Sequence, residues 1–426
     1  MPDRIDVAVI GGGPAGLAAA ISASREGASV LLIEREERLG GILKQCIHDG
    51  FGVIRFNEKL SGSEYACRDI RELEQTDTRV LLRTFVTRVE KRGDTFVLTL
   101  VNRGGMSRVE VKSLVLATGC RERTARQIGV HGTRPAGVLT AGNAQYYTNI
   151  LGQLPTKRCV ILGSGDIGLI MARRLTLEGA NVLGVYEAKS APGGLLRNVV
   201  QCLQDFDIPL HLSHTVTRVF GTERLEAVEV CRVDREMRPI RGTEKLIKCD
   251  ALILSVGLIP ENELAETLGI EMCRYTRGPV CDNNHMTMTD GIFSCGNSMH
   301  VNDLVDYVSE SGESAGREAA RYASNGGNTA GSGSRTLIDV SWDPDILYAV
   351  PQRLDIGSLK GGTTMFFRAS RELEKVTIRV HADGKEVFSK RYKKLRPPEM
   401  ERITVDFGRG LTANSKVILA LGAVHK

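Results

Sequence analysis

The chain has 426 residues, of which 42% are hydrophobic and 25% charged, as in a soluble globular protein of two or three domains. The net charge of +5 comes from 56 basic and 51 acidic residues without a long basic run, so no nucleic-acid partner is predicted. No apolar stretch reaches the roughly 18 residues of a membrane span, and Met1-Pro2-Asp3-Arg4 leads directly into an apolar strand, so we expect a cytoplasmic protein without a signal peptide.

The first predicted unit is a strand, a glycine turn, a helix and a second strand. Val7 to Gly16 reads Val-Ala-Val-Ile-Gly-Gly-Gly-Pro-Ala-Gly, and the second strand ends at Glu34. Gly11, Gly13 and Gly16 have the G-x-G-x-x-G spacing, in which glycines permit a tight turn, a close approach to a pyrophosphate and close helix packing. The acid accepts hydrogen bonds from a ribose. The unit therefore predicts a dinucleotide site.

A run of strands follows the first unit and closes on Ala117-Thr118-Gly119. The predicted strands are Arg79–Thr84, Val86–Lys91, Thr95–Asn102 and Val109–Leu116.

The same plan then recurs between residues 156 and 187. Cys159 to Gly168 reads Cys-Val-Ile-Leu-Gly-Ser-Gly-Asp-Ile-Gly, and the next apolar strand ends at Glu187. Two dinucleotide sites in one chain suggest that electrons pass from one dinucleotide to the other. A 2′-phosphate would meet the Glu187 carboxylate, which favours NADH over NADPH, although Lys189 lies close enough to weaken this preference.

The C-terminal part differs in composition. Residues 324–334 are rich in glycine, serine and asparagine, which predicts a flexible linker. Residues 335–426 predict a small β-sandwich of about seven strands, with a hairpin turn at Asp383-Gly384. A docking or dimerisation module and a passive stabilising cap are both consistent with this domain.

Ten cysteines are present, and none forms a C-x-x-C pair. This argues against a thioredoxin-like redox motif, zinc ligands or an iron–sulfur cluster, and no metal site is predicted. Unpaired cysteines at this density fit a reducing compartment.

The first glycine motif with Glu34, the Ala117-Thr118-Gly119 strand end and the Thr289 to Asn297 segment resemble the pyridine nucleotide–disulfide oxidoreductase superfamily. The resemblance implies an α/β fold of two Rossmann-like dinucleotide-binding domains, as in glutathione and thioredoxin reductases. The FAD-binding domain would comprise residues 1–125 and 278–323, with the NAD(P)-binding domain, residues 126–277, inserted into it.

Within the superfamily, the segments Gly40 to Gly52, Arg134 to Val138 and His300 to Asp306 resemble the companion flavoprotein of anaerobic-type glycerol-3-phosphate dehydrogenases. More distantly they resemble the α subunits of dye-linked proline dehydrogenase, opine oxidase and hydrogen cyanide synthase. The implied partner is a second FAD-dependent dehydrogenase subunit, with a small redox protein or a second copy of the chain as further options.

The resemblance implies FAD and NAD(H) as cofactors and assigns residues to each. Asn297 departs from the aspartate common at that position; its carbonyl can still accept a ribityl hydroxyl but adds no charge. The implied FAD residues are Gly11, Gly13, Pro14, Ala15, Gly16, Glu34, Arg35, Gly41, Ile42, Ala117, Thr118, Gly119, Gly296, Asn297, Val308 and Ser309. The implied NAD residues are Gly163, Gly165, Asp166, Ile167, Gly168, Glu187 and Gly257.

Cys46 and His48 are the candidate catalytic residues. Cys46 stands near where the superfamily places redox cysteines, and a pKa lowered by Lys44 and His48 would let it act in an NADH oxidase or small-disulfide reductase. The alternative is a neutral cysteine packed beside flavin, with His48 either a proton donor or a structural residue. A third hypothesis makes the second fold a nucleotide-binding scaffold whose flavin only relays electrons.

Overall fold

The computed structural model describes residues 5–327, 335–359, 361–408 and 410–423. The chain forms two compact units, one of Arg121–Ile259 and one of the flanking segments Met1–Cys120 and Pro260–Lys426. The chain leaves the first unit after Cys120 and returns to it at Pro260, which confirms the predicted insertion. No helix in the described part of the chain has the length and apolar character of a membrane span.

The N-terminal segment of the first unit builds a mixed sheet with the strand order β5-β2-β1-β8-β7-β6. The first four of these pair in parallel, and β6, β7 and β8 pair antiparallel. The elements are β1 Ile5–Ile10, α1 Pro14–Arg25, β2 Val30–Ile33, β3 Asp49–Phe51, β4 Leu60–Ser61, α2 Gly62–Leu73, β5 Arg79–Leu81, β6 Phe85–Arg92, β7 Thr95–Asn102 and β8 Gly105–Leu116.

The inserted unit contains a parallel five-stranded sheet with the order β11-β18-β12-β13-β14. It also contains a four-stranded sheet with the order β10-β15-β16-β17, in which β15, β16 and β17 pair antiparallel and the edge strand β10 pairs in parallel with β15. Its elements, with the strands at its boundaries, are β9 Cys120–Glu122, β10 His131–Gly132, β11 Val138–Thr140, α3 Ala141–Asn149, β12 Arg158–Leu162, α4 Asp166–Leu177, β13 Asn181–Glu187, α5 Leu196–Cys202, β14 Leu210–Leu212, β15 His214–Phe220, β16 Ala227–Arg232, β17 Lys245–Lys248, β18 Ala251–Leu254 and β19 Leu258–Pro260.

The chain then completes the first unit. The elements are α6 Glu263–Thr267, β20 Ile292–Ser294 and α7 Val305–Ser324, and β20 pairs in parallel with β8. The predicted boundaries placed residues 260–277 with the second dinucleotide domain. In the structure Ala265 and Ile270 lie in an apolar core with Ile5 and Ala8, so this segment belongs to the first unit.

The C-terminal domain is a sandwich of a five-stranded sheet, β23-β21-β28-β25-β26, and a three-stranded sheet, β22-β24-β27, enclosing one apolar core. Asp383 and Gly384 both have positive φ and turn β25 into β26, which confirms the hairpin. Of the predicted linker, Ser324 ends α7, and residues 328–334 lie outside the described residues. The strands are β21 Leu337–Trp342, β22 Ile346–Val350, β23 Arg353–Asp355, β24 Gly362–Ala369, β25 Leu373–Ala382, β26 Lys385–Leu395, β27 Met400–Asp406 and β28 Val417–Ala423.

Helices α1 and α7 pack unusually closely because α7 presents glycines to α1. A Cβ atom added at Gly312 would lie 2.1 Å from the carbonyl oxygen of Ala15, and one at Gly316 would lie 2.1 Å from that of Ala19. Both contacts are with backbone atoms, which cannot move aside as a flexible side chain would. The separation of the two helices therefore depends on glycine at these two positions.

We expect Gly316→Ala to lower the free energy of unfolding by about 1–3 kcal/mol, since the added methyl group must push the two helices apart. Urea unfolding measured by circular dichroism tests this. Ser314→Ala is the matched control, because Ser314 is partly exposed on the same helix and should change stability little. Equal stability of the two variants would contradict the prediction.

Candidate active site

The first nucleotide turn connects β1 to α1 and requires glycine at two positions. A Cβ atom at Gly11, where φ is +108°, would lie 2.3 Å from the carbonyl oxygen of Ala117, and one at Gly16 would lie 1.7 Å from that of Gly11. At Gly13, by contrast, the nearest atom to an added Cβ would be the Cα of Gly41, at 3.9 Å. The turn thus leaves an open cradle at the N-terminus of α1, where backbone N–H groups attract a phosphate.

Glu34, at the end of β2, is buried and ties the turn together. One carboxylate oxygen accepts the Gly12 N–H at 2.7 Å and the other accepts the Glu36 N–H at 2.8 Å. Each oxygen keeps a second lone pair that ribose hydroxyls can use. Arg35, which was also expected to contact FAD, pairs with Glu261 at 3.1 Å.

The loop after Glu34 returns to the cradle. The Gly40 N–H donates to the carbonyl oxygen of Gly12 at 2.8 Å, and a short 3₁₀ turn, Gly41–Gln45, follows. Ile42, the second residue of this turn, is 59% exposed. The open cradle fits the pyrophosphate of FAD, and the buried Glu34 fits its adenosine ribose. The exposed side chain of Ile42 lies beside the cradle, where the rest of the cofactor would continue.

The second predicted FAD segment also adjoins the first turn. The Gly296 N–H donates to Ser311 Oγ at 2.8 Å. The Asn297 side-chain oxygen accepts the Asn302 N–H at 3.0 Å, and its Nδ2 donates to Cys120 Sγ at 3.6 Å. The Asn297 oxygen also accepts Asn302 Nδ2 at 3.4 Å, so both of its lone pairs are used and the amide is held in one orientation. A ribityl hydroxyl would replace the longer contact with Asn302 Nδ2.

The N-terminal turns of α7 hold Val308 and Ser309, both buried. The capping residue, Leu304, provides no side-chain cap, so the helix dipole is directed at the space before it. The Ser309 hydroxyl accepts a hydrogen bond from Tyr65 Oη at 2.9 Å. Ser309 could therefore contact FAD through its backbone, while its side chain packs against α2.

Sequence reasoning missed a polar cluster that anchors this helix. Arg55 forms two hydrogen bonds of 2.7 and 2.8 Å to the Asp69 carboxylate and a 2.9 Å ion pair to Glu313. Its backbone N–H donates to Asp306 Oδ1 at 2.8 Å. Burial raises the pKa of Asp69 to about 6 although Arg55 opposes the shift. Partners so far apart in sequence leave no local pattern to detect.

The surroundings of Cys46 work against a redox role for its thiol. Burial raises the pKa of its thiol to about 12, the opposite of the lowered pKa that the hypothesis required. Lys44, a proposed activating cation, pairs with Glu36 and donates to the carbonyl oxygen of Arg38 at 3.0 Å. His48 stacks on Phe51 with ring centroids 5.0 Å apart.

The second nucleotide turn, between β12 and α4, repeats the first. A Cβ atom at Gly163, where φ is +98°, would lie 2.0 Å from the carbonyl oxygen of Ser255, and one at Gly168 would lie 2.6 Å from that of Gly163. At Gly165 the nearest atom would be Ser255 Oγ at 3.7 Å. The middle glycine again faces open space, and Gly257, with φ +103°, follows the neighbouring strand β18.

Glu187 holds this turn as Glu34 holds the first. Its carboxylate accepts the Ser164 N–H at 2.9 Å and the Ser164 hydroxyl at 2.6 Å, and the Lys189 N–H donates to its other oxygen at 3.0 Å. The Gly193 N–H donates to Ser164 Oγ at 2.8 Å. Glu187 is buried and bonded to these donors, so its carboxylate is fixed at the edge of the second turn.

Sequence reasoning also missed the loop over the second turn. Gly193-Gly194 follows Glu187 at the same spacing as Gly40-Gly41 follows Glu34, a signal that a residue-by-residue alignment of the two halves would have found. Asp166 Oδ1, predicted to contact NAD, accepts the Leu195 N–H at 2.9 Å and Asn198 Nδ2 at 2.6 Å. That oxygen holds the loop to α4, while Ile167 is 37% exposed.

Both turns fall within one family model, described as pyridine nucleotide-disulphide oxidoreductase, which matches residues 5–327. The chain belongs to this family. It is an FAD-dependent oxidoreductase, with FAD and NAD(P)H as cofactors.

Curated relatives of this oxidoreductase include subunits of larger enzymes. An opine oxidase subunit of Agrobacterium tumefaciens is 27% identical over 319 residues, which are 71% of this chain and 62% of the relative. The hydrogen cyanide synthase subunit HcnB of Pseudomonas aeruginosa is 29% identical over 288 residues, 62% of this chain and 59% of the relative. The chain thus spans about 60% of the length of these curated relatives.

Among solved structures, thioredoxin reductase of T. acidophilum superposes with a TM-score of 0.62 at 22% identity, covering 76% of this chain and 99% of the reductase. This likeness shows the fold, two dinucleotide-binding domains as predicted.

We expect His300 to make stability depend on pH. The residue is 1% exposed, and burial, with Arg368 and His285 nearby, lowers its pKa to about 3. Between pH 6.5 and 3, His300 is therefore protonated in the unfolded chain but neutral in the folded protein. The free energy of unfolding falls by up to about 1.4 kcal/mol for each unit by which the pH decreases in this range.

Burial raises the pKa values of the carboxyls Asp69 and Asp282 to about 6. These two groups take up protons more readily in the folded protein, so their contribution to stability increases as the pH falls. The effect of His300 must therefore be measured as a difference between two proteins. Urea unfolding at pH 7.5 and 5.5 should show a weaker loss of stability on acidification in His300→Gln than in the unsubstituted protein. Identical losses would contradict the prediction.

Proposed function

We propose that this protein transfers a hydride between NADH and bound FAD and passes electrons to or from a second dehydrogenase subunit. The proposal rests on one observation: the chain builds two nucleotide turns to the same plan, each with an open middle glycine and a buried glutamate bonded to the turn. When bound, FAD supplies the two-electron chemistry. Glu187 favours NADH, because a 2′-phosphate would lie against its carboxylate.

The role within a larger enzyme is supported by the relatives, whose names identify them as subunits. We propose that the partner is a second FAD-dependent dehydrogenase that oxidises glycerol 3-phosphate. The support for this substrate is the sequence resemblance of the segments Gly40 to Gly52, Arg134 to Val138 and His300 to Asp306. Co-expression of the chain with such a dehydrogenase, followed by affinity purification and an NADH-dependent assay, tests the pairing.

The disulfide-reductase alternative has weaker support, since it needs a thiolate at Cys46. With a pKa of about 12, only a minute fraction of the thiol is ionised at neutral pH. A small disulfide should therefore not be reduced by the isolated protein at the rate of an enzyme.

Anaerobic titration of the purified, FAD-loaded protein with NADH, followed by flavin absorbance, tests the proposed function. We expect bleaching at stoichiometric NADH and weaker bleaching with NADPH. An oxidised flavin that ignores NADH but is reduced by dithionite would overturn the proposal and make the second nucleotide fold a scaffold.

A further inference from the structure

The C-terminal sandwich contacts the segment that joins the second FAD motif to α7, residues 299–304. His300 packs between Tyr348 and Phe366 of the sandwich, with ring centroids 6.2 and 5.5 Å apart. Tyr307, in the first turn of α7, contacts the same Phe366 at 5.4 Å. The sandwich therefore covers the apolar side of this segment.

Polar contacts fix the same segment. Arg368, on β24, is only 13% exposed in its side chain and pairs with Asp303; it also donates to the carbonyl oxygen of Val301 at 3.3 Å. The second Asp303 oxygen accepts the Met400 N–H of β27 at 2.6 Å. Both oxygens of the Asp303 carboxylate therefore have partners in the C-terminal domain.

The held segment is connected at both ends to residues assigned to FAD. Within the segment, the Asn302 N–H donates to the Asn297 side-chain oxygen at 3.0 Å. At its end, Leu304 begins α7, whose first turns contain Val308 and Ser309. Residues 299–304 thus link the contacts of Arg368 to the Asn297 amide and to the N-terminus of α7.

We propose that the C-terminal sandwich is a positioning domain for the flavin site, and that Arg368 is its main positioning residue. Through Asp303 and the Val301 carbonyl, Arg368 fixes the segment that orients Asn297 toward a ribityl chain and the α7 dipole toward the flavin ring. The inference rests on the FAD site assigned above, but it does not depend on hydride transfer from NADH.

Two properties of the FAD-loaded full-length protein test the proposal: the FAD dissociation constant and the flavin midpoint potential, the latter measured with dithionite and redox dyes. In Arg368→Ala we expect FAD to bind at least tenfold more weakly. Because the α7 dipole stabilises anionic reduced flavin, its displacement should weaken reduced flavin about tenfold more than oxidised flavin, lowering the potential by about 30 mV for the two-electron couple.

Arg371→Ala is the matched control. Arg371 lies three residues after Arg368 in the sequence. Its side chain is 64% exposed and pairs with Asp345 at 2.7 Å, away from residues 299–304. The FAD dissociation constant and the midpoint potential of this variant should therefore stay unchanged. Arg368→Lys keeps the positive charge but replaces the guanidinium group by a single ammonium group. Its FAD affinity and midpoint potential should lie between those of Arg368→Ala and the unsubstituted protein. Should Arg368→Ala fail to fold, Asp303→Asn probes the same contact and should shift both properties in the same direction.

An Arg368→Ala protein with unsubstituted affinity and potential, whatever its melting temperature, would overturn the proposal and leave Arg368 a purely structural residue. Since neither readout uses NADH, a protein that ignores NADH but shows the Arg368 effects would refute the proposed hydride transfer and leave the positioning role intact.

Discussion

Replacing Gly13 by valine should remove FAD from a protein that still folds. The backbone at Gly13, with φ −77° and ψ −174°, suits a β-branched residue, and a Cβ atom there would clash with no atom of the described residues. The side chain would instead occupy the cradle at the N-terminus of α1, where the pyrophosphate of FAD must approach the backbone. We expect at least a hundredfold loss of FAD affinity, about 2.7 kcal/mol.

Flavin content per chain, measured by absorbance after heat release, and far-ultraviolet circular dichroism together test this prediction. Gly16→Ala is the informative contrast, because its methyl group would lie 1.7 Å from the carbonyl oxygen of Gly11 and should disrupt the fold itself. If Gly13→Val retained one FAD per chain, the turn would not be the cofactor site.

Gly165→Val should abolish reduction of the flavin by NADH while leaving the flavin bound. Gly165 has φ −64° and ψ 162°, again suitable for valine, and the nearest protein atom to its Cβ would be Ser255 Oγ at 3.7 Å. The added side chain would fill the second cradle only. We expect the NADH concentration for half-maximal bleaching to rise by at least a hundredfold, about 2.7 kcal/mol.

Dithionite serves as the internal control in this experiment, because it reduces flavin without a nucleotide site. Normal bleaching by dithionite with none by NADH is the expected pair of results. Unchanged bleaching by NADH in Gly165→Val would mean that the nucleotide reaches the flavin by another site. The Gly13 and Gly165 variants thus test the two turns separately.

Much of the candidate site follows from local sequence. A glycine turn between an apolar strand and a helix, with an acid closing the next strand, needs fewer than about 30 residues to be recognised, and both copies fold as predicted around Gly11 and Gly163. The Asp383-Gly384 hairpin is equally local, since two adjacent positive φ angles are a property of the turn itself.

Other features depend on partners distant in the chain. Arg55 bonds to Asp306, 251 residues away, and Arg368 bonds to the carbonyl of Val301, 67 residues away. No periodicity or spacing connects such residues, because their meeting depends on how helices and sheets pack. The assignment of residues 260–277 to the first unit has the same origin, since Ala265 and Ile270 were placed by the core they enter.

Cys46 illustrates most clearly the difference between what local sequence predicts and what depends on tertiary packing. Its neighbours Lys44 and His48 suggested an activated thiol, but a pKa responds to burial and to where charges point, which adjacency in sequence does not determine. Local sequence therefore determined the nucleotide-binding chemistry of this protein, through short segments that fold on themselves. The tertiary structure decided how the thiol of Cys46 is buried, which helices glycine brings together and what the C-terminal sandwich holds, because burial and long-range contacts exist only once the chain has packed.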